Sequence, residues 1–438
     1  LAINNSGNVQ ATGTAVVDGK VHLVADGGNI NNSGVISARN ANGDGGLVTV
    51  DGGSRMVDGG AATVLHTGVI DLRGDIAGAK GGVAYLLGDH VGLMNGSLVD
   101  VSGATDGGTI LVGGDYQGKN PEVQNARATY VAQGAVIKAD GGVAVSSEQS
   151  AVSSQSSDGL QPSAFSLQPS GQGDGGTVIV WSDNTTRFYG SLSARGGAEG
   201  GNGGFAEVSG HSYLDYHGRV DLGALNGVGG TVLFDPNGIT ISNGADANTT
   251  GFSPPGDLTE AFTDDSGVNS TFDVTAGTGS FAGVGAGTTI RLQANWGIMV
   301  NNAFDLATAT GAANVSLELS AQDQIDINAP VSATGTGTLT LAADTSNAGF
   351  ASRRINIGAG GGLTTDGQTI TLSGATLAIT PGGTINSGAG AISVAPSTAT
   401  TVGLGAGSGT MSITDAEFDA FTTSGTLTIG GANATTIT

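Results

Sequence analysis

Hydrophobic and polar residues alternate after a pair of glycines at six places in the first half of the chain. In every copy the second and fourth residues after Gly-Gly are apolar. The six copies occupy residues 45–50, 81–86, 107–112, 175–180, 203–208 and 229–234. An alternation of period two is typical of a strand that buries one side. The pattern therefore predicts six strands whose apolar side lines a core.

The third residue after each Gly-Gly pair belongs to the opposite side of the predicted strand, so we expect it to face outward. This position is occupied by Thr49, Tyr85, Leu111, Ile179, Glu207 and Leu233. Two interpretations of its apolar members stay open. Either they form ladders between neighbouring repeats, or an insertion covers them.

The spacing of the copies indicates a repeat. Their first glycines lie 36, 26, 68, 28 and 26 residues apart, which gives a base period of 26 to 28 residues with a larger insertion after Val112. A second strand-like run lies between copies, at residues 69–72, 98–101, 136–139, 192–194 and 220–222. Gly, Asn or Asp bounds these runs, and such residues tolerate the positive φ of a tight turn. Short strands with this period predict an all-β solenoid whose equivalent strands stack in parallel.

The chain changes character near residue 240. Residues 1–240 carry the Gly-Gly pairs, whereas residues 241–438 are rich in Thr, Ala and Gly and continue the alternation. The Ser-rich residues 141–173 predict an insertion into the first region, and residues 246–270, with Pro254 and Pro255, predict an excursion in the second. Thr414 and Glu417 have the spacing of a capping box, which predicts a short helical turn over residues 414–421.

Composition removes several classes of protein. Of 438 residues 80 are Gly, 9 are Pro and none is Cys, so collagen, disulfide scaffolds and thiol chemistry are excluded. A hydrophobic content of 38% argues against disorder, and a net charge of −23 argues against nucleic acid or an anionic membrane as a partner. No run approaches the ~20 apolar residues of a membrane span. Because the chain begins at Leu1 without a signal peptide, we expect a mature or excised piece.

Several longer motifs resemble a known family. They lie at residues 99–103, 107–118, 175–183, 194–197, 203–210 and 232–237, with Asn125, Ala126, Ala139 and Asp140. Together they resemble the repeat region of filamentous-haemagglutinin-like large exoproteins, which are adhesins of two-partner secretion systems. Residues 402–405 and 414–421 resemble a module found further along such proteins. The resemblance covers most of residues 20–240 and, more loosely, the rest.

The resemblance implies a right-handed single-stranded parallel β-helix with extra-helical loops. It also implies export by a Gram-negative bacterium through an outer-membrane transporter pore, followed by a role in adhesion, aggregation or biofilm formation. The lack of Cys agrees with a chain that crosses a narrow pore unfolded and folds outside through contacts between neighbouring repeats. The family's secretion module with Asn-Pro motifs is not visible. Asn237 follows Pro236 rather than preceding it, so recognition by the transporter does not map onto these residues.

Three acidic residues take equivalent positions in the second strand-like run. Asp71, Asp100 and Asp221 could form a ladder that binds calcium or supplies acid and base groups to a polysaccharide-active enzyme. We favour a polar outward face, because Lys138 and Ser193 take the intervening positions and no strong Arg cluster accompanies the acids.

Two histidines are further candidates for chemistry. His211 and His217 lie beside Tyr213 and Tyr216, and we interpret both histidines as surface corner residues rather than as ligands of a metal or haem. A hydrolase triad has no support, because the Gly-x-Ser-x-Gly motif is absent from a suitable context. We therefore predict no catalytic residue, no cofactor and no metal.

One short motif suggests binding to cells. Arg73, Gly74 and Asp75 form an integrin-type tripeptide at a predicted corner, although chance also produces such a match. Asn-x-Ser/Thr sequons are numerous, and Asn- and Thr-rich corners create them by chance as well.

The main hypothesis is a non-catalytic adhesin, secreted or held at the bacterial surface. We expect it to bind glycans or proteins of host or bacterial surfaces through outward strand faces and the loops at 141–173 and 246–270. Self-association into an extracellular filament or matrix is one alternative. A polysaccharide-active enzyme is a second alternative, which rests on fold analogy.

Overall fold

The computed structural model describes residues 2–12, 19–25, 27–54, 60–143, 169–244, 262, 269–344 and 353–438. Its secondary structure is almost entirely β. The chain divides into two compact units. The first comprises Leu1–His211, Tyr216–Thr231 and Gly251–Asp264, and the second comprises Ser212–Asp215, Val232–Thr250 and Asp265–Thr438.

The described strands that begin before residue 230 are short and are separated by turns. They are β1 (Ala2–Asn5), β2 (Asn8–Thr12), β3 (Lys20–Val24), β4 (Asn29–Asn32), β5 (Val35–Arg39), β6 (Leu47–Asp51), β7 (Thr63–His66), β8 (Val69–Asp71), β9 (Val83–Leu87), β10 (His90–Leu93), β11 (Leu98–Asp100), β12 (Thr109–Val112), β13 (Ala128–Val131), β14 (Val136–Lys138), β15 (Thr177–Ser182), β16 (Thr185–Phe188), β17 (Ser191–Ser193), β18 (Phe205–Gly210), β19 (Tyr213–Tyr216) and β20 (Arg219–Asp221). A 3-10 turn spans Tyr116–Gly118.

The later part of the chain also consists mainly of short strands separated by turns. Its described strands are β21 (Thr231–Phe234), β22 (Ile239–Ser242), β23 (Ser270–Asp273), β24 (Thr289–Ala294), β25 (Gly297–Val300), β26 (Phe304–Asp305), β27 (Ser316–Ala321), β28 (Gln324–Ile327), β29 (Pro330–Ala333), β30 (Leu339–Ala343), β31 (Arg354–Ile357), β32 (Gly362–Thr365), β33 (Ile370–Gly374), β34 (Thr376–Ile379), β35 (Thr384–Gly388), β36 (Ile392–Pro396), β37 (Thr400–Leu404), β38 (Met411–Ile413), β39 (Phe421–Thr423), β40 (Leu427–Ile429) and β41 (Ala434–Ile437). Two short helices are α1 (Leu306–Thr310) and α2 (Asp415–Phe418).

Within the described part of the first unit, the strands form three parallel sheets, and every third strand along the chain joins the same sheet. Sheet I contains β3, β6, β9, β12, β15 and β18; sheet II contains β1, β4, β7, β10, β13 and β16; sheet III contains β2, β5, β8, β11, β14, β17 and β20. The register follows the Gly-Gly copies, since Leu47 pairs with Val83 and Val83 pairs with Thr109. The prediction that equivalent strands stack in parallel is confirmed.

The inner side of sheet I is the apolar side that the sequence predicts. The second and fourth residues after each Gly-Gly pair are completely buried in every copy of the first unit. These residues are Val48, Val50, Ala84, Leu86, Ile110, Val112, Val178, Val180, Ala206 and Val208, all with 0% relative exposure. Removal of this apolar surface from water is the main favourable contribution to the free energy of folding.

The Gly-Gly pairs are required because neighbouring backbones approach closely, and not because a turn needs a positive φ. Neither Gly107 nor Gly108 has a positive φ. Instead, a Cβ on Gly107 would overlap with the carbonyl oxygen of Ala139, and a Cβ on Gly108 would overlap with that of Gly82. The pairs therefore lie where backbones of neighbouring segments approach too closely for any side chain. The positive-φ requirement applies to other glycines, such as Gly43 in a turn.

The residue before several Gly-Gly pairs forms a ladder that links neighbouring repeats. The carboxylate of Asp106 accepts a hydrogen bond from the backbone N–H of Asp174 at 3.2 Å, and the carboxylate of Asp174 accepts one from the N–H of Asn202 at 2.7 Å. The side chain of Asn202 then accepts one from the N–H of Val228 at 3.0 Å. These side chains satisfy backbone donors in turns that have no strand partner.

The outer side of sheet I is covered over part of its length. Leu111, Ile179 and Trp181 form a buried cluster, although the first two belong to the side expected to face outward. Residues 113–125 lie over this cluster, with the Tyr116 ring 5.8 Å from the Phe205 ring. Both interpretations of these apolar outer residues hold here. Residues 113–125 cover them, and Leu111 and Ile179 also form a ladder because they pair in register. Residues 144–168 of the predicted insertion lie outside the described residues.

The second unit follows a similar rule. Sheet IV contains β24, β27, β30, β33, β36 and β40; sheet V contains β22, β23, β25, β28, β31 and β34; sheet VI contains β26, β29, β32, β35 and β39. From β24 to β36 the strands visit these three sheets in rotation. Alternation again sets the core, since Ile290 and Leu292 are buried while Arg291 between them is half-buried. Strands β37, β38 and β41 form a separate small sheet.

The two helices are held by polar caps. Asp305 caps α1 by accepting a hydrogen bond from the Thr308 N–H at 2.9 Å. Thr414 and Glu417 form the reciprocal capping box at the start of α2, at the place where the sequence predicts a helical turn. Among the described residues, no helix has the length and apolar character needed to cross a membrane.

Candidate functional site

The candidate site with the most charged groups is a corner at the end of sheet III. It is formed by Arg39, Asp71, Arg73, Asp75 and Asp100. Strands β8 and β11 place Asp71 directly beside Asp100 in the parallel register. The same register continues through β14, β17 and β20 to Lys138, Ser193 and Asp221. The predicted equivalence of the three acidic residues is therefore confirmed.

Arginines do accompany these acids, so the prediction that no Arg cluster is present was wrong. The guanidinium of Arg73 donates two hydrogen bonds of 3.0 Å to the Asp71 carboxylate and lies 4.0 Å from the Asp100 carboxylate. Arg39 contacts Asp71 at 3.2 Å and Asp75 at 3.4 Å. Arg39, the last residue of β5, is equivalent to Arg73, because Ser37 pairs with Asp71 and each arginine lies two residues further along. Alignment of these two strands in the sequence would have revealed the pair.

The two neighbouring carboxylates have opposite pKa shifts. Burial raises the pKa of Asp71, but hydrogen bonds and charge from Arg73, together with Arg39, outweigh it and hold the pKa below its usual value. Burial dominates at Asp100 and raises its pKa, because Arg73 and Ser102 compensate only in part. The corner thus combines one firmly ionised carboxylate with one that takes up a proton more readily.

The predicted cell-binding tripeptide belongs to this corner. Arg73 is paired with Asp71, and Asp75 is paired with Arg39. Gly74 is fixed by its N–H, which donates to the carbonyl of Ser102 at 2.9 Å. The side chains of Arg73 and Asp75 are each 39% exposed. A receptor that binds these residues must compete with two intramolecular ion pairs, and the binding role of the tripeptide stays a prediction.

A second ion pair is buried in the interior of the same sheet end. The guanidinium of Arg195 contacts the Asp140 carboxylate at 2.9 Å, and both side chains are almost inaccessible. The backbone N–H of Arg195 and the hydroxyl of Ser193 also donate to Asp140, at 2.8 and 3.1 Å. A buried ion pair with this many hydrogen bonds fixes the local backbone, and loss of one partner is costly.

The two candidate histidines contact different aromatic rings. His211 packs beside Trp181 with ring centroids 6.0 Å apart, whereas His217 stacks on Tyr189 at 5.9 Å. Both histidines are exposed. Among the described residues, no group of three or more His, Asp or Glu side chains is arranged to hold a metal ion.

Tyr216 is buried against Phe188, and burial raises its pKa.

An aromatic row on the outer side of sheet II was not anticipated. Tyr189 lies 5.9 Å from both Tyr130 and His217, measured between ring centroids. Tyr189 and His217 each directly follow a strand, and their N–H groups donate to the preceding repeat in the same pattern. On the same side Phe262 stacks on His90 at 4.6 Å. Alignment of strand ends would have shown Tyr189 and His217, but not Tyr130, which pairs in register with Arg187.

A cleft of about 330 Å³ opens in the second unit beside α1. Its lining includes Phe304, Asp305 and Thr308. The Asp305 carboxylate already accepts hydrogen bonds from Thr308 and from the Ser332 hydroxyl, the latter at 2.9 Å. This carboxylate therefore serves as the helix cap.

Comparison of the chain with protein-family models and with curated proteins finds no match. The resemblance to filamentous-haemagglutinin-like exoproteins stays a prediction from the motifs.

Proposed function

We propose that the chain is a non-catalytic, adhesin-type exoprotein of a Gram-negative bacterium, secreted or held at the cell surface, which mediates attachment, aggregation or biofilm formation. We further propose that its strands are wound as a right-handed single-stranded parallel β-helix. The rotation of successive strands through three parallel sheets supports this winding. Right-handed connections between parallel strands are the strong general rule.

The observation that carries the proposal is the repeated parallel register. Each strand buries its inner residues and presents an outer residue about 4.8 Å from the equivalent residue of the next strand. The result is an extended set of outward positions, which repeat proteins use to bind partners. Tyr189 and His217, whose rings stack, are an example of such outward positions.

Export through an outer-membrane transporter pore is part of the same proposal. The chain contains no Cys, so no disulfide has to form after passage. Strand pairing joins neighbouring repeats, which permits folding to proceed from one repeat to the next.

One observation favours a filament or matrix subunit as the second candidate. The loop between β20 and β21 exposes Leu225 and Val228, at 76% and 71% of their surface. Large apolar side chains that are exposed close together are typical of contact surfaces between proteins.

Attachment is tested with the full chain immobilised on beads at controlled density. We expect the beads to retain bacterial cells, host cells or surface glycans more strongly than beads that carry an unrelated acidic protein. Electron microscopy of the same preparation distinguishes ordered polymers from separate molecules. Lack of retention on every surface would refute the adhesin proposal, and depolymerisation of neutral or acidic polysaccharides by the chain would refute its non-catalytic part.

A further inference from the structure

The turn between β24 and β25 presents an exposed tryptophan on a rigid main chain. Trp296 is 42% exposed, whereas Trp181, the other tryptophan of the chain, is 2% exposed. The N–H of Trp296 donates to the carbonyl of Asn237 at 2.6 Å, and its own carbonyl accepts from the N–H of Asp323 at 3.0 Å. The backbone that carries the ring is therefore fixed on both sides.

A neighbouring glycine allows the ring to lie close to the main chain. Atom Cε3 of Trp296 lies 3.3 Å from the position that a Cβ would take on Gly238, and a Cβ there would also overlap with the Asn269 amide. Gly238 does not have a positive φ, so its role is to give room. The ring is thus supported from one direction while a large part of its surface contacts solvent.

Three amide side chains form a row at the same turn, where Asn295 directly precedes Trp296 and the Asn237 carbonyl accepts from the Trp296 N–H. Nε2 of Gln322 donates to Oδ1 of Asn295 at 2.5 Å, and Nδ2 of Asn295 donates to Oδ1 of Asn237 at 3.0 Å. Asn295 and Gln322 follow Ala294 and Ala321, which pair in register, so the sheet itself sets their spacing. Each amide has two N–H donors and two acceptor positions, and the row uses only part of them.

We propose that this surface, formed by Trp296, Asn237, Asn295 and Gln322, binds a neutral saccharide. A sugar ring has an apolar C–H face, which stacks on an aromatic ring, and a rim of hydroxyl groups, which pair with amide donors and acceptors. The net charge of −23 disfavours acidic glycans. The assignment rests on the proposed attachment function, for which it names the ligand class.

The test uses the full chain and measures binding of neutral oligosaccharides built from glucose, mannose or galactose, with oligogalacturonate as the acidic comparison. Calorimetry gives the affinity, and protection of Trp296 fluorescence from iodide quenching reports the site. We expect saturable binding of at least one neutral oligosaccharide. Trp296→Ala should weaken it at least tenfold and Asn295→Ala about threefold, whereas Trp296→Phe should retain part of it. The matched control is Val24→Ala, which truncates an exposed apolar residue of the other unit and should have no effect.

Three results would overturn the inference. They are the absence of binding by any neutral oligosaccharide, equal affinity of Trp296→Ala and the unaltered chain, or tighter binding of oligogalacturonate that Trp296→Ala does not change. Circular dichroism checks that each variant is folded. If the Trp296→Ala chain does not fold, Asn295→Ala provides the decisive comparison. Bead attachment is measured with the same proteins. Attachment without saccharide binding refutes this inference alone, and saccharide binding without attachment refutes the proposed function alone.

Discussion

A buried histidine makes the stability of the first unit depend on pH. Asn5, Asn32 and His66 end the successive strands β1, β4 and β7 of sheet II. Nδ2 of Asn5 donates to Oδ1 of Asn32 at 2.8 Å, so Asn32 turns its own Nδ2 toward Nδ1 of His66, 2.9 Å away. Nε2 of His66 lies 3.3 Å from the carbonyl oxygen of Leu98. A carbonyl only accepts, so the imidazole is neutral with its hydrogen on Nε2.

Protonation of His66 would place two donors, its Nδ1–H and the Asn32 amide, against each other in a buried site. Burial lowers the pKa of His66 from 6.5 to about 4, and hydrogen bonds to the backbone of Leu98 and Asn32 oppose this only in part. The unfolded chain therefore binds the proton more tightly than the folded chain does. Stability is complete above pH 6.5 and decreases as the pH falls toward about 4. The total loss is about 3 kcal/mol at ~1.4 kcal/mol per pKa unit.

The test compares the full chain with His66→Asn, which continues the amide ladder without a titratable group. Urea unfolding is followed by fluorescence in a Trp296→Phe background, so that Trp181 reports the first unit. We expect His66→Asn to lower the free energy of unfolding at pH 7 because a smaller side chain leaves a cavity. Between pH 7 and pH 4.5 the free energy of unfolding of the His66→Asn chain should then decrease by about 2 kcal/mol less than that of the chain with His66.

The control is His22→Asn, which replaces an exposed histidine of the same unit. It should leave the pH dependence unchanged. Equal pH dependence of the His66→Asn and unaltered chains would show that His66 is not held neutral in the folded state, and the reasoning from burial and hydrogen-bond direction would be wrong.

Three further predictions concern the stability of the first unit, measured by the same urea assay. Arg195→Ala should cost about 3–5 kcal/mol because it leaves the buried Asp140 carboxylate without its cation, whereas Lys80→Ala, at an exposed ion pair, should have a much smaller effect; equal losses would contradict this. Gly108→Ala should destabilise by several kcal/mol, on the order of a severe core substitution, because its methyl group meets the Gly82 carbonyl; a neutral result would disprove the close approach. Gln117→Gly should stabilise by about 1 kcal/mol because Gln117 has a φ of 53°; destabilisation would show that the side-chain contacts outweigh the strain.

The strands of the first unit could be predicted because the signal is local and recurs. Alternation after Gly-Gly fixes which residues face the core, and Val48 and Val50 are buried as expected. The parallel pairing follows from the constant position of each copy in its repeat. The predicted secretion, surface location and ligands stay predictions, because a repeated core does not determine which outward residues bind.

The candidate site was harder to predict because part of it lies in a turn. Asp75 follows β8 in such a turn, and its contact with Arg39 at 3.4 Å depends on how that turn folds back. The covering of Leu111 depends on residues 113–125, which follow no periodic pattern. Trp296 carried no signal in the sequence, since a single aromatic residue in a turn does not reveal whether it is exposed.

Loop length and strand register are independent of each other in sheet I. From Leu47 to Val83 is 36 residues, from Val83 to Thr109 is 26, and from Thr109 to Thr177 is 68, yet each pair is directly adjacent in the sheet. At the first of these steps the carboxylate of Asp44 still accepts from the N–H of Lys80 at 2.7 Å. We therefore expect these turns to accept grafted peptides while the strands keep their partners, so that the chain could serve as a display framework for inserted epitopes.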